Sequence, residues 1–165
     1  MSVKRAMRKR FELQHELGVT AIEEIIIPTK SRDELPPVLM ALQHIFVTEE
    51  LSEQVFDILE HRIEIKKMGR RGLSLWEILV LGVVRLTLDS NYDRLEHIAN
   101  YDSLVRELLG VKDEFGKSKK QYSLTTLKEN ILYIDQELLT AINKVVVKAG
   151  YSLLKKKMGP KPKQK

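Results

Sequence analysis

The chain of 165 residues is 43% apolar, 31% charged and 6% aromatic, enough for one sizeable core and short for two ordinary domains. It has no cysteine, which excludes a disulfide framework, a thiolate zinc site and a cysteine nucleophile. The net charge of +5 conceals opposed regions: residues 1–10 and 155–165 carry eleven bases and no acid, residues 11–64 twelve acids against three bases, and residues 65–154 fourteen bases against eleven acids.

The basic N-terminus runs into Phe11-Glu12-Leu13-Gln14 with no apolar h-region, so no secretory signal is expected. The longest strongly apolar run, Ile78 to Val84, has seven residues, where a bilayer span needs about 20. A cytoplasmic protein without membrane contact is the expectation. Three regions are expected: a basic N-terminal helix or arm over 1–18, a helical domain over 19–154, and a basic tail or linker over 155–165.

In chain order, residues 2–17 read as a basic helix with only a ragged apolar stripe of Val3, Ala6, Met7, Phe11, Leu13 and Leu17. The β-branched run Val19 to Ile27, ended by Pro28, is the one strand-like stretch. One strand makes no sheet, so it must pair with another chain, lie as an extended arm on helices, or belong to a sheet completed elsewhere. Ser31 and Glu34 have the form of a capping box ahead of Leu35, Val38, Leu39, Leu42, Ile45 and Phe46, giving a helix over about 32–47. Pro36 and Pro37 fit only in its first turn or by pushing its start later. Thr48 can cap a second helix through Leu51, Val55, Ile58, Leu59, Ile63 and Ile65, stopped by Gly69.

Ser74 and Glu77 form a second capping box, opening a helix to Leu88 that is apolar on almost every side and is therefore expected at the centre of the domain. Gly82 within it predicts a close helix crossing. A polar turn at 89–91 and short helices over 92–100 and 103–109, closed by Gly110 in left-handed conformation, resemble a helix-turn-helix core. Residues 111–121 read as an exposed basic loop, Ser123 opens a helix, and Asp135 caps a last helix reaching Leu154. The fold class expected is all-α, with one short extended segment near residues 21–27 and basic tails.

The chemistry is mostly one of exclusions. His15, His44, His61 and His97 form no metal-ligand spacing, and the chain lacks phosphate-loop, dinucleotide and nucleophile-elbow motifs. No catalytic residues, no metal and no cofactor are expected. Clustered Lys and Arg suit phosphate through counterion release, and the candidates are Arg70 and Arg71 with Lys117, Lys119 and Lys120. Tyr122, Ser123, Thr125, Thr126, Lys128 and Asn130 follow on the next helix, where hydroxyls, an amide and a lysine suit phosphates and base edges. The opposing reading makes Ser123 a cap and the threonines ordinary surface. The acidic stretch 11–64 is expected to face solvent or a partner protein.

The run from Arg70 to Arg85, Asn91-Tyr92-Asp93-Arg94-Leu95, Ala99-Asn100 and Leu104 to Gly110 resemble the N-terminal region of bacterial insertion-sequence transposases of the ISNCY group. So do Ser31 to Pro36, Leu42-Gln43 and Tyr122 to Asn130, the likeness covering most of residues 20–157. The resemblance implies a nucleoid-associated part of a transposase that recognises double-stranded DNA at element ends, without the acidic catalytic domain of that family, which would begin where this chain stops at Lys165. It also leaves a second reading: an oligomerisation module or inhibitory remnant that pairs with itself or with a full-length transposase.

Overall fold

The computed structural model describes residues 10, 21–28, 30, 32–63, 72–111 and 121–148. Within them the chain forms seven α-helices and no strand: α1 Leu35–Val47, α2 Glu49–Arg62, α3 Leu75–Leu88, α4 Tyr92–Tyr101, α5 Ser103–Leu108, α6 Leu124–Ile131 and α7 Gln136–Lys148. The all-α class follows. The expected N-terminal helix, apart from Arg10, and the basic tail lie outside the described residues.

Helix α3 is the organising element. Every residue from Leu75 to Val84 is buried, so neighbours must cover it on all sides. Helices α1, α2, α4 and α6 pack against it. Trp76 is completely enclosed: its indole Nε1 donates to the Leu108 carbonyl at 2.7 Å, and its ring meets Phe46 at 4.9 Å between centroids. A buried indole needs such an acceptor, and here it ties α3 to the end of α5. The capping box at its start is realised. Ser74 Oγ accepts from the Glu77 amide at 3.2 Å and donates to Glu77 Oε1 at 3.1 Å.

Gly82 allows a close approach, though not of a crossing helix. A Cβ at this position would lie 2.5 Å from Cβ of Ile134, which belongs to the turn between α6 and α7. Gly82 therefore seats that turn, and with it the start of α7, directly on α3.

The strand-like run 19–27 is not a strand where it is described. Ile22–Glu24 is a single 3-10 turn, and the extended residues after it lie along α1 with Ile25 and Ile27 buried and Ile26 turned outward. The decisive contact is distant in sequence: the Gln43 amide donates to the carbonyls of Ile22, at 2.7 Å, and Ile25, at 3.0 Å. With its carbonyls taken by α1, the segment has less need of a strand partner. Of the three alternatives for this run, the extended arm on helices is the one present.

Two helix starts also differ from expectation. Helix α1 begins at Leu35 with Glu34 in the cap position, and Asp33 Oδ1 accepts from the Leu35 amide at 3.2 Å. The prolines thus occupy the first turn, where their missing donors cost nothing, and push the start past the expected box at Ser31, which lies outside the described residues. Thr48 occupies the cap position of α2 without a side-chain capping bond. Elsewhere the local signals hold: Gly110 has φ of 75°, and Asp135 Oδ1 accepts from the Leu138 amide at 2.8 Å to cap α7.

Asp135 also takes a hydrogen bond from Arg62 Nη2 at 2.8 Å, which joins α7 to α2. The bond from Leu138, then that from Arg62, holds its carboxyl below the ordinary carboxylate value. A depressed folded value stabilises the fold above the unfolded pKa, and that contribution disappears as pH falls through the folded one. Asp135→Ala is expected to cost about 1 kcal/mol at neutral pH in urea unfolding, the usual size for a lost cap, with the gap to wild type closing in acid. Gly82→Ala is expected to cost about 1–3 kcal/mol in the same measurement, because Ile134 must move out of a packed position.

Candidate nucleic-acid interface

The candidate residues on α6 divide between surface and interior. Ser123 caps the helix: its Oγ accepts from the Thr126 amide at 3.2 Å and donates to Thr126 Oγ1 at 2.8 Å. Thr125, Lys128 and Glu129 are exposed on the outer face, and Lys128 forms no ion pair among the described residues. Leu132, seven residues after Thr125, continues this face at 55% exposure. Helix α6 thus presents hydroxyls, one ammonium and one carboxylate, with its own N-terminal amides beside Ser123.

Two candidates are not on that surface. Asn130 is buried at 5% exposure, and its Nδ2 donates to the Thr126 carbonyl one turn back, at 2.7 Å. It shares the inward side with Leu127 and Ile131, which pack against α3 and α4. Tyr122 is buried at 2% exposure just before the helix. Both serve the attachment of α6 and are removed from the set of contact residues by burial. Arg70, Arg71, Lys117, Lys119 and Lys120 lie outside the described residues.

What aims α6 is a residue that sequence reasoning did not single out as functional. The side-chain amide of Asn100, on α4, pairs with the main chain of Tyr122: Nδ2 donates to its carbonyl at 2.9 Å and Oδ1 accepts from its amide at 2.7 Å. A side chain thereby replaces a strand partner at the entry to α6 and fixes it across α4. Next to Asn100, Tyr101 is 71% exposed, with its ring 4.9 Å from that of His97 at a tilt of 38°. The i, i+4 spacing of these aromatics was readable from the sequence; the pairing of Asn100 with a residue 22 positions away was not.

The pair α4 and α5 does not supply an outward second helix of the kind a helix-turn-helix motif presents to DNA. Helix α5 has six residues and turns Val105, Arg106 and Leu108 inward, with Arg106 Nη1 donating to the Ala99 carbonyl at 2.8 Å. The outward position belongs to α6, which packs on both α3 and α4.

The described residues hold ten Lys and Arg against eighteen Asp and Glu, a net charge of −8. Much of the acidity lies on α2, where Glu53, Asp57 and Glu60 surround the guanidinium of Arg10. Hydrogen bonding to Glu60, then to Glu53, raises the Arg10 pKa further above its already high value. A shallow groove of about 480 Å³ between α2 and α7 is lined by Asp57, Ile58, His61, Arg62, Glu137, Leu138 and Ala141. No described helix is long and apolar enough to cross a membrane, and no three His, Asp or Glu among the described residues gather as a metal site.

In comparisons with known proteins, no family model, no curated protein and no solved structure matches the chain.

Because both bonds from Asn100 close on partly buried main-chain groups, Asn100→Ala is expected to cost about 1–3 kcal/mol and to speed hydrogen exchange at the Tyr122 amide. Native-state exchange followed by NMR measures both effects on one sample.

Proposed function

We propose that the chain is a double-stranded DNA-binding domain of transposase lineage, recognising element ends through the outer face of α6. The observation that carries this reading is the placement of α6: a capped helix held by Asn100 and by α3, with Ser123, Thr125 and Lys128 on its outward side. Directly before it in sequence stand Lys117, Lys119 and Lys120, and the resemblance to ISNCY-group transposases includes the α6 segment itself. In this reading Lys128 and Thr125 touch phosphates and base edges, and the lysines before the helix and in the tail add sequence-independent attraction. Cleavage and strand transfer would belong to the acidic catalytic domain of that family.

A second reading, a module that pairs with itself or with a full-length transposase, draws on the acidity of the described residues and on Ile26, an apolar side chain left 87% exposed beside buried neighbours. Light scattering on the eluting protein separates the two readings: a strict monomer that retains duplex DNA disfavours the second.

The direct test presents the full chain with a pool of randomised duplexes at low salt and selects retained sequences. Enrichment of one motif supports the reading, and no retention at any salt overturns it. Lys128→Ala is expected to weaken the selected duplex about tenfold relative to a scrambled one, whereas replacing Lys155, Lys156 and Lys157 with Gln should weaken both equally and flatten the salt dependence. Asn130→Ala, which removes a buried amide, is expected to lower the melting temperature without changing the preferred sequence.

A further inference from the structure

Residue 10 is held by two different chemistries at the junction of α2 and α3. Its guanidinium donates from Nε to Glu60 Oε1 at 2.6 Å, from Nη1 to Glu53 Oε2 at 2.8 Å, and from Nη2 to Asp57 Oδ1 at 3.0 Å and Glu60 Oε2 at 3.3 Å. The same group lies 5.7 Å from the centroid of the Phe56 ring. Its main-chain carbonyl accepts from the Trp76 amide at 3.0 Å, satisfying one of the amides that the first turn of a helix leaves without an internal partner.

The acids form a stripe, since positions 53, 57 and 60 are spaced at i, i+4 and i+7 on one face of α2. Such a row of like charges repels itself unless a cation is seated on it, and a planar guanidinium fork satisfies several carboxylates at once. In the nine residues before the seated cation the sequence supplies Lys4, Arg5, Arg8 and Lys9. These bases are among those a polyanion would need.

We propose that the carboxylate stripe of α2 is the docking surface for the chain's own basic N-terminal segment, and that α2 and a polyanion compete for that segment. The competition rests on the DNA-binding reading; the docking does not. The contact is suited to exchange. Arg10 retains 33% exposure, Glu53 64% and Asp57 60%, so these two ion pairs are screened by salt and individually weak, while the Glu60 pair, with its acid 20% exposed, is the more sheltered anchor. Docked, Arg10 is neutralised by α2; released, the segment offers phosphate up to five additional cations, Lys4, Arg5, Arg8, Lys9 and Arg10.

The absence of cysteine permits a single fluorophore at Ser2→Cys on the full chain. The test variant is Glu53→Gln, Asp57→Asn, Glu60→Gln. The control removes three acids on elements other than α2: Glu23→Gln, Glu24→Gln and Asp93→Asn. Without DNA, the test variant is expected to lower the label's anisotropy and to speed tryptic cleavage after Lys9 about tenfold, with the control behaving as wild type. Equal anisotropy and equal cleavage in wild type and test variant overturn the docking, whatever the DNA result. Arg10→Gln removes the cation instead of the acids and must mobilise the label likewise, which keeps the test available if the triple variant does not fold.

With a mixed-sequence duplex, the test variant is expected to bind about fivefold tighter than the control at low salt, with a log–log salt slope steeper by about 1 or more. A mobile label with tighter duplex binding supports the whole proposal. A mobile label with affinity equal to the control overturns the competition, and a mobile label with no duplex bound by any variant overturns the DNA-binding reading while the docking stands.

Discussion

A helix with no polar face has to be enclosed, and most of this fold is the enclosure of α3. The burial of Leu75 through Val84 draws α1, α2, α4 and α6 onto the helix. Close packing of this kind leaves little room for adjustment: Trp76 requires its acceptor at Leu108, and Gly82 requires the absence of a Cβ beneath Ile134. Each contact places a different connection, the first the end of α5 and the second the turn into α7. The orientation of α6 is therefore a by-product of core packing, completed by the amide of Asn100.

Charge is distributed on a different plan from apolar surface. The described helices carry more acid than base, and most of the basic residues belong to segments that precede, interrupt or follow them. On charge alone, a polyanion would favour those basic segments and faces, such as that of α6, where acid is sparse. Arg10, from the basic N-terminal segment, is paired with three of the acids on α2.

What was legible in the sequence was what neighbouring residues decide among themselves. The Ser74 and Glu77 box, the Asp135 cap, the left-handed Gly110 and the apolar circumference of α3 all depend on contacts within a few positions. The isoleucine-rich run at 22–27 left three arrangements open, because the contact that decides among them comes from Gln43, far along the chain, which takes its carbonyls. Asn130 is a different case. It stands three residues after Leu127 and one before Ile131, so the helical period alone places it inward, and amide chemistry suggestive of base recognition outweighed that geometry. Tyr122 carried no comparable signal, since its burial follows from a clamp on its main chain.

The two anchors that bracket residues 112–120 have a consequence for how such a chain can change. On one side the Val111 amide donates to the Arg106 carbonyl at 3.0 Å; on the other, both main-chain groups of Tyr122 are held by Asn100. Neither anchor reads a side chain from within the intervening stretch. Substitutions between the two moorings remove no partner from either of them, so charge there could vary among lineages at no direct cost to these two contacts.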